Sequence, residues 1–301
     1  MPSPRLHADQ VEIDEPMARA LVASQFPAWG GLAITHVPSG GTENVVFRLG
    51  DDLALRMPMT RDAVGSLVRE VRWLPVVAPH VSLDVPEVVA EGAPDERYPF
   101  PWVVVRWLDG QDAVTASFAS MDQLSEDLAG FVGELQSIDM TGAPKPGSEG
   151  FVRGGPIVSR EPYFRSAIAQ CEGLVDVGRV TAIWDDALAA PRWDGAPVWL
   201  HADLIPGNLL VRDQRLAGVL DFGTIATGDP AYDLTPAWHL LEGAARARFL
   251  ALTGADDPTV RRARGLVVSG GVIALPYYLH TNPAMVAIAR RGIDAVLESA
   301  G

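Results

Sequence analysis

An aspartate, an asparagine and a second aspartate are spaced in this chain as phosphoryl transfer requires. The stretch HADLIPGN covers residues 201–208, and LDFG follows at 220–223. Asp203 could orient an attacking hydroxyl through its carboxylate. The amide oxygen of Asn208 and the carboxylate of Asp221 could hold the magnesium ions that screen nucleotide phosphates.

Apolar runs on either side of these residues predict the elements that position them. Pro206-Gly207 breaks the chain between two of these runs, so Asp203 and Asn208 are expected on one loop and Asp221 at the end of an adjacent strand. Oxygen ligands of this kind suit Mg²⁺, which takes only one or two protein carboxylates. Each residue taken alone is more typical of a turn or a cap, and only the ordered set of three favours chemistry. The predicted strands are 198–200, 209–211 and 216–220.

The segments HADLIPGNLLV, GVLDFG and GDPAYDL together resemble the aminoglycoside phosphotransferase family, the small-molecule relatives of protein kinases. The family pattern reads H-x-D-x-x-x-x-N, hydrophobic-D-F/W-G/D and G-D-P-x-x-D-L, and the chain departs from it nowhere in that stretch. The resemblance implies an α+β, bilobal, protein-kinase-like fold with a mixed β-sheet N-lobe and a mainly helical C-lobe. Residues 1–108 would form the nucleotide-binding lobe, and residues 109–301 the catalytic and acceptor-binding lobe.

The resemblance also implies a role for each polar residue of these motifs. Asp203 is the catalytic aspartate that positions or deprotonates the acceptor hydroxyl, and Asn208 and Asp221 are the magnesium ligands. His201 supports the catalytic loop by hydrogen bonding, with proton transfer by His201 as the alternative. Asp229 is expected to brace the catalytic loop through backbone N–H groups, and it can also cap the helix that starts after it, because Asp followed by Pro is a helix-start signal.

A nucleotide clamp is expected in the N-terminal third of the chain. Residues 53–58 predict a strand that carries a cation, Arg56, where protein kinases have the lysine that pairs with nucleotide phosphates. Arginine is always charged and binds phosphate through two hydrogen bonds. Residues 62–78 predict the next helix, on which Glu70 is the natural partner of Arg56. An ordinary surface ion pair is the simpler alternative.

Two further segments of this region are expected to contact the nucleotide. A Gly-rich turn precedes the strand with Arg56, and such a turn lets backbone N–H groups approach phosphates, although a plain hairpin turn fits the segment nearly as well. Residues 102–110 predict a buried strand leading to a break, which in a kinase-like fold is the hinge whose backbone binds the nucleobase. The residues assigned to these contacts are Ser39, Gly40, Gly41, Asn44, Arg106 and Leu108.

Composition indicates one globular enzyme. The chain has 301 residues, of which 48% are hydrophobic, and neither a signal-peptide core nor an apolar run long enough to span a membrane is found. The single cysteine, Cys171, permits no internal disulfide and suits a cytoplasmic location. A net charge of −14 argues against nucleic acid as a partner and agrees with a cationic small-molecule acceptor.

The C-terminal half is expected to be mostly helical, with a Gly/Pro-rich loop at 140–157. Family resemblance places the acceptor pocket among these helices, where Trp238 and Glu242 are candidate lining residues, with packing or plain surface exposure as the alternatives. Helical patterns are predicted at 121–138, 161–172, 176–190, 230–243 and 283–299.

Three classes of function compete. A small-molecule O-phosphotransferase that uses Mg²⁺ and ATP or GTP is favoured. A protein kinase is disfavoured, because only four residues separate Gly223 from Gly228 and no A-P-E motif follows. A non-catalytic nucleotide-binding protein need not retain all three catalytic residues. An aminoglycoside is the expected acceptor. A macrolide is the alternative, since residues 55–58 resemble the L-R-x-P strand of the GTP-preferring macrolide phosphotransferases, and a metabolite is a further alternative.

Overall fold

The computed structural model describes residues 6–38, 41–148 and 153–300. Its N-terminal region contains a five-stranded antiparallel sheet with strand order β1-β2-β3-β5-β4. The strands are β1 (Ile34–His36), β2 (Asn44–Leu49), β3 (Leu53–Pro58), β4 (Val88–Gly92) and β5 (Trp102–Arg106).

Both faces of this sheet are covered, which explains why β3 is buried along nearly its whole length. Helix α1 (Glu15–Gln25) packs its apolar residues on one face, where Leu21 and Leu55 share a buried cluster. Helix α2 (Arg61–Val77) covers the other face with Leu67. Helix α2 begins where the Thr60 hydroxyl accepts a hydrogen bond from the Ala63 N–H, as an N-cap residue should.

The C-terminal region combines two small sheets with a set of helices, and their buried apolar side chains form one large core. Strand β6 (Gln111–Asp112) pairs with β8 (Leu209–Arg212), which pairs with β9 (Arg215–Val219), and β7 (Val198–Leu200) pairs with β10 (Ala226–Gly228). The helices are α3 (Met121–Gln136), α4 (Glu161–Ile168), α5 (Val177–Ala189), α6 (Pro236–His239), α7 (Gly243–Leu252), α8 (Asp257–Tyr278) and α9 (Pro283–Ser299).

Helix α2 connects the two regions. Its C-terminal residues Trp73, Leu74 and Val77 belong to the large C-terminal core, whereas Leu67 belongs to the sheet. The proposed boundary between residues 108 and 109 falls in the segment between β5 and β6, and it stays a prediction. Within the described ranges, no helix combines the length and the apolar character needed to cross a bilayer.

The strands around residues 201–221 lie where the sequence predicts them, and one predicted helix is wrong. Residues 230–243 do not form a continuous helix: a 3₁₀ turn (Pro230–Leu234) leads into α6, and α7 starts only at Gly243. Pro236 lacks the N–H that a continuous helix would need, and Gly243 has a φ of +49°. Helices α1, α7 and α8 were not predicted from the sequence.

Candidate active site

The loop between β7 and β8 brings two of the three motif residues together. The Nδ2 group of Asn208 donates to the backbone oxygen of Asp203 at 2.9 Å and to its Oδ2 at 3.1 Å. The Asp203 side chain is 25% exposed, so one side of the carboxylate is open to a substrate. Ala202 precedes it with a φ of +63°, a conformation that L-residues adopt only under constraint.

Asp233 supplies that constraint. Its carboxylate accepts hydrogen bonds from the backbone N–H groups of His201 at 2.8 Å and Ala202 at 2.7 Å, and its side chain is completely buried. Burial raises the pKa of Asp233, and the two hydrogen bonds oppose that rise. The carboxylate therefore fixes the backbone of the loop directly before Asp203.

The prediction that Asp229 braces the loop is wrong. Asp229 caps the following 3₁₀ turn by accepting from the Ala231 N–H at 3.0 Å, which matches the capping alternative. Its carboxylate also pairs with the buried Arg262, with an Nε–Oδ2 distance of 2.6 Å. Since Asp229 and Asp233 lie at opposite ends of one turn, the two carboxylates face different partners.

The imidazole of His201 is buried, and both of its nitrogens are engaged. Nε2 lies 2.9 Å from the backbone oxygen of Leu220, and Nδ1 accepts from the Asp203 N–H at 3.2 Å. A carbonyl can only accept, so the ring proton sits on Nε2. The ring also contacts the edge of Phe222, with centroids 4.8 Å apart. This arrangement favours structural support over proton transfer.

Asp221 follows β9 in the left-handed conformation, with φ +60° and ψ +68°. Its Oδ1 accepts from the Gly223 N–H at 3.3 Å and lies 3.7 Å from Nη2 of Arg56. The Leu220 N–H donates to the backbone oxygen of Asn208 at 2.8 Å, which ties the two motif segments together. The site therefore contains all three motif residues.

Arg56 and Glu70 form the ion pair that the sequence predicts. Nη1 of Arg56 donates to Oε1 of Glu70, and the two side chains are only 12% and 1% exposed. Burial raises the pKa of Glu70, and the positive charge of Arg56 opposes that rise. Such burial excludes the alternative of an ordinary surface pair. Arg69, also on α2, donates to the backbone oxygen of Gly223 and so holds the helix against the turn after Asp221.

The Gly-rich turn is described only in part. Ser39 and Gly40 lie outside the described residues, Gly41 is exposed, and Asn44 begins β2. Sequence reasoning missed Glu43, whose carboxyl has its pKa raised to about 7 by burial and by the nearby charges of Asp221 and Asp203. The segment GGTEN predicted only backbone contacts to phosphate, because a carboxylate such as that of Glu43 repels phosphate groups.

The two hinge residues differ in how they are placed. The Arg106 N–H donates to the backbone oxygen of Glu87 at 2.9 Å, and its exposed guanidinium donates to the Glu87 carboxylate at 2.8 Å. These bonds place Arg106 in strand pairing, and its amide N–H is not free for a nucleobase. Leu108 is half-buried just after the strand, and its nucleotide contact stays a prediction.

The two candidate acceptor residues lie in the core and in an exposed ion pair, respectively. Trp238 is 1% exposed in the C-terminal core, and its Nε1 donates to Ser299 Oγ at 3.0 Å, so the packing alternative is the correct one. Glu242 is exposed, but its carboxylate pairs with Arg291 at 2.9 Å. Neither residue shows a contact with Asp203.

Arg153 is a site residue that sequence reasoning did not find. Its Nη1 donates to the backbone oxygen of Ala202 at 2.7 Å, and its Nη2 donates to Asp203 Oδ1 at 3.1 Å. Arg160 is buried nearby, and burial together with the charge of Arg153 lowers its pKa to about 10. Arg153 precedes Asp203 by fifty residues in a loop, so no local spacing pointed to it.

The site could hold a magnesium ion only together with a nucleotide. Both hydrogens of the Asn208 amide point to Asp203, which leaves its oxygen for a cation, and Asp221 adds a carboxylate that is 35% exposed. Within the described parts of the chain, no group of three or more His, Cys, Asp or Glu side chains could hold a metal alone. Two protein oxygens fit Mg²⁺, because phosphates and waters usually complete its shell.

Comparison with known proteins identifies the class. Residues 35–266 match the model of a family described as the phosphotransferase enzyme family. The chain belongs to this family and is an enzyme of the phosphotransferase class. It is 26% identical over 279 residues to an aminoglycoside 3'-phosphotransferase of Escherichia coli, an alignment that covers 84% of this chain and 96% of the relative.

Solved structures of low sequence identity have the same bilobal kinase-like fold, which confirms the predicted fold class. The GDP and kanamycin complex of APH(2")-IIia is 21% identical, covers 94% of this chain and 98% of its own, and superposes with a TM-score of 0.73. The apoenzyme of the macrolide 2'-phosphotransferase MphH from Brachybacterium faecium is 22% identical, covers 94% and 98%, and has a TM-score of 0.63.

Proposed function

We propose that this protein moves the γ-phosphate of a magnesium-bound nucleoside triphosphate to a hydroxyl group of a small-molecule acceptor, with Asp203 as the catalytic residue. The carrying observation is the convergence of Asp203, Asn208 and Asp221, with Asp203 fixed by its neighbours and partly open to solvent. Membership of the phosphotransferase family supports the same reaction.

In the proposed reaction the Asp203 carboxylate accepts a hydrogen bond from the acceptor hydroxyl and so directs the hydroxyl oxygen toward the γ-phosphorus. A bond forms between these two atoms, and the bond from the phosphorus to the β–γ bridging oxygen breaks. The bridging oxygen keeps the electron pair and leaves with the nucleoside diphosphate. The hydroxyl proton passes to Asp203 and then to solvent.

Two parts of the N-terminal region are assigned to the nucleotide phosphates. Arg56 on β3 contacts the phosphates through its guanidinium, and Glu70 on α2 keeps that group in place. Backbone N–H groups of the Gly-rich turn are assigned to the same phosphates. Asn208 and Asp221 would hold Mg²⁺, and the ion would supply positive charge to balance the charge that develops on the phosphate oxygens.

Replacing Arg56 with Ala should raise the KM for the nucleotide and leave the KM for the acceptor nearly unchanged. A hydrogen bond to a charged group contributes about 1.5–3 kcal/mol, so the expected rise is about 10- to 150-fold. Glu70→Ala should give a milder form of the same defect. Steady-state kinetics with each substrate varied measure both effects.

A double-mutant cycle tests whether Arg56 and Glu70 act as a pair. The two losses should overlap, because Glu70 acts only through Arg56. The matched control is Arg19→Ala, which removes an exposed ion pair with Glu15 on α1 and should leave both KM values unchanged. Fully additive losses would contradict the pairing.

Removing the carboxylate of Asp221 should remove the effect of magnesium on nucleotide binding. Asp221→Asn is the best variant, because Asn tolerates the left-handed backbone and can still accept from the Gly223 N–H. Asn208→Ala should weaken the magnesium effect without abolishing it. Calorimetry with and without Mg²⁺ measures it, and an equal magnesium dependence in wild type and Asp221→Asn would show that the negative charge of Asp221 plays no part in magnesium binding.

For the acceptor we propose an aminoglycoside-type antibiotic, and we place the reaction in the cytoplasm. The net charge of −14 suits a polycationic acceptor, and a curated relative is named for this substrate class. A macrolide is the second candidate, since a macrolide 2'-phosphotransferase shares the fold and residues 55–58 fit the strand pattern of that group. Resistance to the drug would be the physiological outcome of either reaction.

An acceptor panel distinguishes these candidates. Release of nucleoside diphosphate is followed with ATP and with GTP against aminoglycosides, macrolides and amino alcohols. A polycationic acceptor should show a KM that rises with added salt, because ion pairs are screened over about 8–10 Å near physiological ionic strength. Turnover with macrolides alone, without this salt effect, would replace the leading proposal with the second, and turnover with amino alcohols alone would point to a metabolite.

A further inference from the structure

The catalytic loop has no cation of its own. Residues 201–208 contain neither Lys nor Arg. The positive charge beside the catalytic carboxylate comes instead from Arg153, in the loop that precedes α4. Its two terminal nitrogens contact different parts of the catalytic loop, the Ala202 carbonyl and the Asp203 side chain.

The backbone next to Arg153 is anchored by close contacts that only glycine permits. Gly154 has a φ of +72°, and a Cβ atom there would lie 2.1 Å from the backbone oxygen of Thr227. The backbone at Gly228 passes directly over the backbone at Gly154, and a Cβ on Gly228 would lie 1.9 Å from the backbone oxygen of Gly154. The Asp229 N–H donates to that same oxygen at 3.2 Å. Arg153 therefore extends from a fixed point beside β10.

A second anchor follows immediately. The Tyr232 hydroxyl donates to the backbone oxygen of Gly155 at 3.1 Å. Tyr232 lies in the 3₁₀ turn that also contains Asp233, whose carboxylate braces the catalytic loop. One turn thus holds both the backbone beside Arg153 and the backbone before Asp203. The same turn therefore holds the two backbone segments that carry the guanidinium and the carboxylate.

We propose that Arg153 is the positioning residue of the catalytic carboxylate, an inference that rests on the proposed role of Asp203. Arg153 holds Oδ1 and Asn208 holds Oδ2, so the carboxylate is held at both oxygens and presents a fixed direction to the acceptor hydroxyl. The contact to Ala202 secures the strained residue before it. Orientation of this kind is worth a large rate factor, since a misplacement of about 1 Å can cost about 10²-fold.

Arg153→Ala should lower kcat about 10²-fold and change neither KM by more than a small factor. Arg153→Lys should fall between wild type and Arg153→Ala, because one ammonium group can replace only part of a contact made by two nitrogens. Rates are expressed per nucleotide-binding site, so that misfolded protein does not count. The matched control is Arg165→Ala, an exposed arginine on α4 that pairs with Glu161 and Asp185 and should keep the wild-type kcat.

A double-mutant cycle with Asp203→Asn identifies how Arg153 acts. If it acts through the carboxylate, Arg153→Ala should cost little further activity once Asp203 is Asn. Additive losses would overturn the inference, since Arg153 would then act on another group. An unchanged kcat in Arg153→Ala, with Asp203→Asn inactive, would overturn the inference and leave the proposed function standing. Near-normal turnover in Asp203→Asn alone would instead overturn the proposed function.

Discussion

Asp203→Asn should lower kcat by about 10²–10⁴-fold, the usual contribution of a positioned general base. The amide has nearly the shape of the carboxylate, and its oxygen can still accept from Arg153. Asn208 loses its bond to Oδ2 but stays held by the backbone oxygen of residue 203, so nucleotide binding should be nearly unchanged. The acceptor hydroxyl, however, loses the negative oxygen that orients it. Single-turnover kinetics with saturating nucleotide and acceptor isolate this chemical step.

The control for this variant is Asp194→Asn, which removes one negative charge from an exposed position outside the site. It should leave kcat unchanged, so that a decrease in Asp203→Asn is not an effect of net charge. Near-wild-type turnover in Asp203→Asn, measured where chemistry limits the rate, would remove Asp203 from the proposed mechanism.

Arg262→Ala should destabilise the protein by about 3–5 kcal/mol, because it leaves a buried carboxylate without its cation. The Arg262 and Asp229 side chains are 3% and 8% exposed and share two hydrogen bonds, and Arg262 also donates to the Pro191 carbonyl at 2.6 Å. Denaturation with urea measures the change in the free energy of unfolding.

The neighbouring residue gives a matched control. Arg261, on the same helix, pairs with Asp186, whose side chain is half exposed. Because water screens such a pair, Arg261→Ala should cost about 0–1 kcal/mol. Equal losses in the two variants would show that the burial of the Arg262 pair does not govern its contribution. A clearly larger loss for Arg262→Ala would show that burial governs the contribution of the pair.

The grouping of the three motif residues was predictable because their geometry is local. Asp203 and Asn208 share an eight-residue loop between two short strands, and hydrogen bonds inside the loop bring their side chains together. Asp221 was predictable for the same reason, as it ends the next hairpin. The order of strand, loop and strand therefore brings these three residues to the same end of the hairpin.

The different roles of Asp229 and Asp233 show the limit of reasoning from local sequence. Both lie in GDPAYDL, and both could brace a loop or cap a turn. The 3₁₀ turn between them directs Asp229 to Ala231 and Arg262 and directs Asp233 to the catalytic loop. Arg262 lies on α8, so the choice depends on a helix that the sequence pattern did not predict.

Helix α8 went undetected because its glycines look like helix breakers. Gly265 packs against Ala187 and Ile157, where an added Cβ would come within 2.4 Å and 2.9 Å of side-chain atoms. Gly271 packs against Ile293 in the same way, with an added Cβ at 2.7 Å. These glycines let α5 and α9 pack closely against α8. This packing outweighs the low helix propensity of glycine, which costs about 1 kcal/mol per residue.

Arg153 was missed, and Trp238 was assigned to the acceptor pocket, because the surroundings of both residues come from distant parts of the chain. Arg153 reaches Asp203 across fifty residues, through a backbone crossing of two glycines. Trp238 sits in the core with its indole N–H on Ser299, near the end of α9. Neither contact leaves a periodic signal in the sequence.

The most direct test of the central claim is to follow the label of a γ-³²P nucleotide in the presence of the acceptor panel. The label should appear in a small-molecule product with wild type, with far less in Asp203→Asn or Asp221→Asn at equal protein concentration. Label found only in inorganic phosphate, or on the protein itself, would contradict direct transfer to a small-molecule hydroxyl.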